Sequence, residues 1–339
     1  MSNGNERHIR RLTVAILGEA AGNATLDALD IPARLLDQGG PHVSRAAFAM
    51  AMNICLFHDL LQRVPSGAAY VRDRLAHRGR VLFDHGALRT VRFGQGSTGA
   101  LPAGEAAFTR ILLPLGYDMA AVYPLDRLKM TGRAYRHRDE PEAIPQFFLS
   151  ELHVDRFDAD FAAASHRVFD SSRDPLDMSA TAVLAAFDAG QPVDYAAALG
   201  ALPPILAAFD RQHDAPAFAD YQTLLGQSNE AAWIATEGNA FNHATDRVPD
   251  VAMLAEQLRA GGGPIKDRLE ISATGRVRQT AFRAERVERT FAGNDIRMVP
   301  GSFYEFISRD IDPETGALDL AFDTGNATGI FAMTGAREQ

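Results

Sequence analysis

At 339 residues the chain is longer than a minimal module, and about 150 residues per domain would divide it in two, although single units of about 200–250 residues are common. Apolar residues make up 46% and charged residues 23%, globular proportions that exclude a collagen, a disordered chain and a disulfide scaffold. Thirty-four basic against 43 acidic residues leave a net charge of −9, so a nucleic-acid partner is not expected, and no Lys/Arg run offers a local exception.

The predicted elements begin with helices. The polar start from Ser2 to Arg11 has no secretory apolar core, and no stretch reaches the ~18 apolar residues of a membrane span, so a cytoplasmic protein without a membrane partner is expected. Met50, Ile54, Phe57 and Leu61 form one helical stripe behind the N-cap Ser44, and Pro65 closes that helix. Residues 1–79 therefore read as a helical cap. From Arg80 the composition turns β-branched and aromatic, giving a strand over 80–93 and further strands near 118–123, 127–137 and 146–154 in a first strand-rich segment, 80–156.

Residues 157–232 return to an Ala-rich helical composition, a helical insertion with breaks at Pro175, Pro192 and the Pro203/Pro204 pair. A second strand-rich segment, 233–339, has strands near 239–247, 269–282, 297–308 and 328–333. This order does not alternate as βαβ units would. It predicts an α+β fold in which both strand-rich segments build one sheet covered by helices, with residues 1–339 forming a single catalytic unit.

Composition also limits the chemistry. Only Lys129 and Lys266 are lysines, so an anion site would use Arg, which keeps its charge when desolvated and grips a carboxylate with two parallel bonds. The single Cys55 excludes an internal disulfide and zinc sites with two or more thiolates, leaving His, Asp and Glu for any metal. Gly94, Gly96 and Gly99 match G-x-G-x-x-G, but Pro102 and Gly104 delay the next helix to about Glu105, so a loop is expected instead of a dinucleotide site.

Period-2 alternation places His85, Ala87 and Arg89 on one strand face and Asp84, Gly86 and Leu88 on the other. This is either a solvated edge strand or a cavity face carrying a metal-binding imidazole and an anion-binding guanidinium. His243 lies in the polar FNHATDR stretch, and Glu305 alternates with Phe303 and Ile307, where a carboxylate needs a partner or a ligand. Two His and one Glu have the composition of the facial triad of non-haem Fe(II) enzymes, although spacing alone does not select them. Glu151, His153 and Asp155 are a competing cluster whose simpler reading is a charged strand end. Gln279 and Arg283 share an inward option in an otherwise solvated basic strand, and His58 and His166 read as packing or surface residues.

At FDHGALRTV, FNHATDRV, RQTAFRA and PGSFYEF the sequence resembles the 2-oxoadipate dioxygenase/decarboxylases, a family similar in fold to the vicinal-oxygen-chelate enzymes. Supporting stretches are LGYDMAAVYPLDRLKMTGRAYRH and IPQFFLSELH. The resemblance implies a glyoxalase-like curved β-sheet around a metal site, with His85, His243 and Glu305 as ligands of Fe(II) and Arg89 as a salt-bridge partner of a substrate carboxylate. Zn or Ni could take the same site in a purified sample. It implies O2-dependent decarboxylation and hydroxylation of a 2-oxo acid, such as 2-oxoadipate to 2-hydroxyglutarate plus CO2. Gln279, Asn326 and Thr328 are further candidate substrate contacts, the last two in FDTGNATGIF, a loop expected over the substrate's far end. Better studied members carry a large insertion after the glutamate strand, whereas 34 residues follow Glu305 here. Rival readings are a glyoxalase-like metal lyase or hydrolase and a non-catalytic small-acid binding protein.

Overall fold

The computed structural model describes residues 7–322. Asn326, Thr328 and the strand expected at 328–333 lie outside the described residues.

Five helices come first: α1 (His8–Leu17), α2 (Glu19–Ala28), α3 (Ala33–Leu36), α4 (Arg45–Arg63) and α5 (Pro65–Ala76), with the short β1 (His42–Val43) before α4. The expected cap is present, since the Ser44 side chain accepts from Ala47 N. The buried part of α4 is broader than the predicted stripe, running without interruption from Ala46 to Phe57, because helices and the sheet surround it. Pro65 follows the end of α4 and opens α5, where its missing N–H costs nothing.

The first strand-rich segment gives β2 (Phe83–Arg92), β3 (Tyr117–Leu125), β4 (Met130–His137) and β5 (Gln146–His153), with α6 (Ala106–Leu112) between β2 and β3. The insertion contains α7 (Ala159–Phe169), α8 (Met178–Asp188), β6 (Val193–Asp194), α9 (Tyr195–Ala207), α10 (Phe218–Leu225) and α11 (Asn229–Glu237). The break expected at Pro203/Pro204 is absent, and both prolines lie inside α9. Their missing N–H groups fall near the end of the helix, where few further bonds are lost.

The second segment supplies β7 (Phe241–Arg247), α12 (Val251–Ala260), β8 (Glu270–Ile271), β9 (Val277–Ala281), β10 (Arg286–Phe291), β11 (Asp295–Pro300) and β12 (Phe303–Arg309). Two expected strands are each divided. The one at 269–282 turns at Gly275, whose φ of 74° is open to glycine, and the one at 297–308 breaks at Gly301 and Ser302. The β10–β11 hairpin pairs on its own.

One eight-stranded mixed sheet, in the order β3-β4-β5-β2-β7-β12-β9-β8, combines strands from both segments and curls into a half-barrel. Its central seam is the antiparallel β2–β7 pair, flanked by the parallel pairs β2–β5 and β12–β7. Phe83, Phe241 and Tyr304 join the core with Phe57 of α4 on the convex side. Ala87, Ala134 and Phe148, with Tyr123 and Phe322, form a separate apolar group on the other face. Among the described residues, no helix is long and apolar enough to cross a membrane.

Candidate metal centre

The concave face at the seam gathers the predicted residues. His85 on β2 pairs in register with Thr245 on β7, Thr245 pairs with Glu305 on β12, and His243 pairs with Ala87 and Phe303. His85 Nε2 lies 3.3 Å and His243 Nε2 3.5 Å from Glu305 Oε2. Donors about 2.1 Å from one ion and roughly at right angles stand about 3 Å apart, so these separations suit a shared cation. Among the described residues this is the one group of three or more His, Cys, Asp or Glu placed to hold a metal. All three are buried.

Two bulges aim the histidines. Phe83 pairs with Asp246 and His85 with Thr245, so Asp84 is one residue extra on β2; Ala87 pairs with His243 and Leu88 with Phe241, so Asn242 is extra on β7. Each inserted residue turns toward the histidine after it. Asp84 Oδ1 lies 2.8 Å from His85 Nδ1, and Asn242 Oδ1 lies 3.2 Å from His243 Nδ1. Accepting a proton at Nδ1 leaves each Nε2 lone pair toward the centre. Strict alternation had put Asp84 on the face opposite His85. The bulge breaks that alternation, which is why Phe83 joins the convex core while His85 points inward.

The electrostatics of Glu305 and His243 suit a cation. Burial raises the Glu305 carboxyl, but the neighbouring imidazoles of His243 and His85 and a 2.8 Å bond from Thr245 Oγ1 outweigh it and hold it down to about 2. Burial lowers His243 to about 3, keeping it in the neutral form a cation requires. His85 is lowered by burial and raised more by Asp84 and Glu305. Arg309 bonds Asp84 through Nε at 3.0 Å and Nη2 at 2.9 Å. This pairing overrides burial and holds Asp84 well below the usual carboxylate range. Glu305 Oε1 is buried without a hydrogen-bond partner among the described residues. An ionised carboxylate with one orphaned oxygen, facing two imidazole nitrogens, fits a divalent cation.

Arg89 lies on the same face, four residues after His85, and is buried. Its guanidinium carbon sits 5.1 Å from the Trp233 ring centre, with Glu230 as a neighbouring charge. Burial lowers it to about 10, so it remains a cation at neutral pH. Gln279 is buried in the same orientation as Glu305, but its amide donates to Glu270 Oε2 at 3.1 Å.

The competing cluster does not assemble into a ligand set: His153 Nε2 stays 3.9 Å from Glu151 Oε1, but Asp155 does not join them. Glu151 is buried, accepts from Glu105 N at 2.7 Å and lies 3.4 Å from Arg133 Nη1; His153 bonds Thr131, and Asp155 is in a 3-10 turn. His58 bonds Thr25 and the exposed His166 stacks on Phe93, as packing and surface residues. Sequence reasoning missed Thr245, Trp233 and Arg309, together with the roles of Asp84 and Asn242. A polar residue directly before each histidine was the available signal.

Residues 59–316 match the family described as 2-oxoadipate dioxygenase/decarboxylase. The chain belongs to that family. A rice (Oryza sativa subsp. japonica) 2-oxoadipate dioxygenase/decarboxylase, chloroplastic/amyloplastic, is 27% identical over 143 residues, a match covering 35% of this chain and 38% of the relative's length. Among solved structures, a glyoxalase superfamily protein of Ralstonia eutropha JMP134 superposes with a TM-score of 0.87 at 49% identity, covering 94% of this chain and 99% of that one. The Oryza sativa hydroxyglutarate synthase in complex with 2-oxoadipate has a TM-score of 0.68 at 19% identity, covering 87% and 96%. The Pseudomonas putida hydroxyglutarate synthase shares the fold at a TM-score of 0.56 and 18% identity, with 98% and 75% covered. The fold is thus glyoxalase-like, as the sequence resemblance implied.

Proposed function

We propose that this protein is an Fe(II)-dependent dioxygenase/decarboxylase of a 2-oxo dicarboxylic acid, with 2-oxoadipate giving 2-hydroxyglutarate and CO2 as the reference reaction. The observation that carries the proposal is the buried His85/His243/Glu305 group, with its orphaned carboxylate oxygen, on a face shared with Arg89. Bound there, a ferrous ion would supply O2 activation and chelation of the 2-oxo acid. Both strand-rich segments contribute ligands, which supports treating the whole chain as one catalytic unit.

The residues of the chain have distinct tasks. Asp84 and Asn242 fix the imidazole tautomers, and Thr245 orients the Glu305 carboxylate. Arg89 stands four positions along the strand from His85, about 13 Å at 3.3 Å per residue, so it suits the carboxylate remote from the reacting end. Ala87, Ala134 and Phe148 give the face between them an apolar floor that keeps water from the reaction. In the reference reaction the C1–C2 bond breaks and C1 leaves as CO2. One atom of O2 enters the new carboxylate at C2 and the other becomes the hydroxyl at C3.

The test is anaerobic loading with Fe(II), followed by a panel of 2-oxo acids with O2 uptake and CO2 release measured together. One CO2 per O2, with label from isotopic O2 in both the new carboxylate and the hydroxyl, is the expected result. Turnover without O2 would instead identify a metal lyase or hydrolase, and acid binding without turnover a non-catalytic binder.

A further inference from the structure

A short backbone stretch after β12 is laced across the concave face by side chains from separate parts of the sheet. Arg309 Nη1 donates to the carbonyls of Asp319 at 3.0 Å and Ala321 at 2.7 Å. Gln146 Nε2 of β5 donates to Leu320 O at 3.3 Å, and Phe322 N donates to the Tyr123 hydroxyl of β3 at 3.0 Å. Arg276, just before β9, holds the Asp319 carboxylate at 2.7 Å. The successive carbonyls of Asp319, Leu320 and Ala321 are satisfied by side chains in place of a strand ladder. Its seating places the Phe322 ring edge-on to His85, with centroids 4.8 Å apart, and against Phe148 at 4.9 Å.

Arg309 is common to the strap and the metal centre. Its side chain is fully buried, and while Nη1 serves the strap carbonyls, Nε and Nη2 grip Asp84, which holds His85 Nδ1. We infer that Arg309 is a positioning residue that couples seating of the 319–322 strap to the orientation of His85. The inference rests on His85 being a metal ligand. A planar guanidinium can serve both edges at once, whereas a lysine ammonium is a single point on a flexible stem. Coupling is reciprocal: an ion that fixes His85 steadies the ring packed on it, and a seated strap favours the imidazole pose that accepts the ion.

The experiment combines Co(II) titration, followed by visible absorption, with hydrogen exchange of the strap amides. In the wild-type protein, saturating Co(II) should slow exchange at Ala321 and Phe322 by about fivefold or more. Arg309→Lys should weaken Co(II) binding by about 10–100-fold and speed strap exchange. Asp84→Asn should weaken Co(II) binding by a similar factor but leave strap exchange of the metal-free protein unchanged, since Arg309 still reaches the two carbonyls. If Arg309→Lys does not fold, Asp84→Asn/Arg309→Met, which leaves neither buried charge orphaned, replaces it. Compared with Asp84→Asn alone, that double variant should show faster strap exchange that Co(II) no longer slows; equal exchange would overturn the coupling. Normal Co(II) binding that leaves wild-type strap exchange unchanged, or wild-type affinity in Arg309→Lys, would overturn the coupling alone. No Co(II) binding by the wild-type protein would overturn the metal centre itself.

Discussion

Replacing Arg89 with Met keeps most of the aliphatic stem beneath Trp233 and removes the charge. Arg89 is buried, and burial, partly offset by the Glu230 charge, lowers its pKa to about 10, so a carboxylate placed against it would be desolvated with it. Truncating one member of such a buried charge pair costs about 2–5 kcal/mol, or roughly 30-fold to a few thousand-fold in kcat/KM. Pairing the variant with a substrate change isolates that term. The wild-type protein should prefer 2-oxoadipate over 2-oxohexanoate, which has a methyl group where the far carboxylate stands, by a factor in that range. Arg89→Met should lose the preference while acting on 2-oxohexanoate at close to the wild-type rate. Steady-state O2 uptake with both acids and both proteins completes the cycle. If Arg89→Met discriminates between the acids as strongly as the wild type, Arg89 does not read the remote carboxylate.

Three further outcomes are expected. Glu305→Gln removes the only charge among the three donors and should lower bound metal after dialysis by at least about 100-fold with the far-ultraviolet spectrum unchanged; a fully loaded variant would refute its role as a ligand. Gly86→Ala would bring a Cβ to 2.3 Å from the Phe241 ring, so it should lower stability by about 1–3 kcal/mol in urea unfolding, with Phe241→Leu recovering part of the loss. His213 is buried, bonds Ala235 O, and is lowered by burial to about 4. Between about pH 6.5 and 4 the unfolded chain takes up a proton that the folded chain does not, so stability falls as pH falls through that window. His213→Gln should flatten this part of the profile, and an unaltered slope would show that another group sets it.

Much of the candidate site was legible because its chemistry constrains residue type more than backbone detail. His85, His243 and Glu305 stand in short motifs where a polar side chain interrupts strand patterning, and they meet on the concave face. Pairing and bulges were less legible. Alternation assigns Asp84 away from His85 because it counts residues evenly, and one inserted residue reverses the count. Arg309 could not be connected to Asp84 from sequence, since the two lie 225 positions apart on strands separated by β7. The prolines of α9 were over-read for a related reason: their cost depends on how much helix follows them, which local composition does not state.

The β2–β7 seam has a consequence for how the protein endures as well as how it reacts. His85 belongs to one flank of that joint, while His243 and Glu305 belong to the other. An ion seated among them is therefore a cross-link between distant stretches of chain, and pulling the flanks apart would release it. Resistance to unfolding should then rise with free metal according to mass action. On the proposed ligand set, scarcity of the ion would reduce the number of lasting molecules as well as the activity of each one.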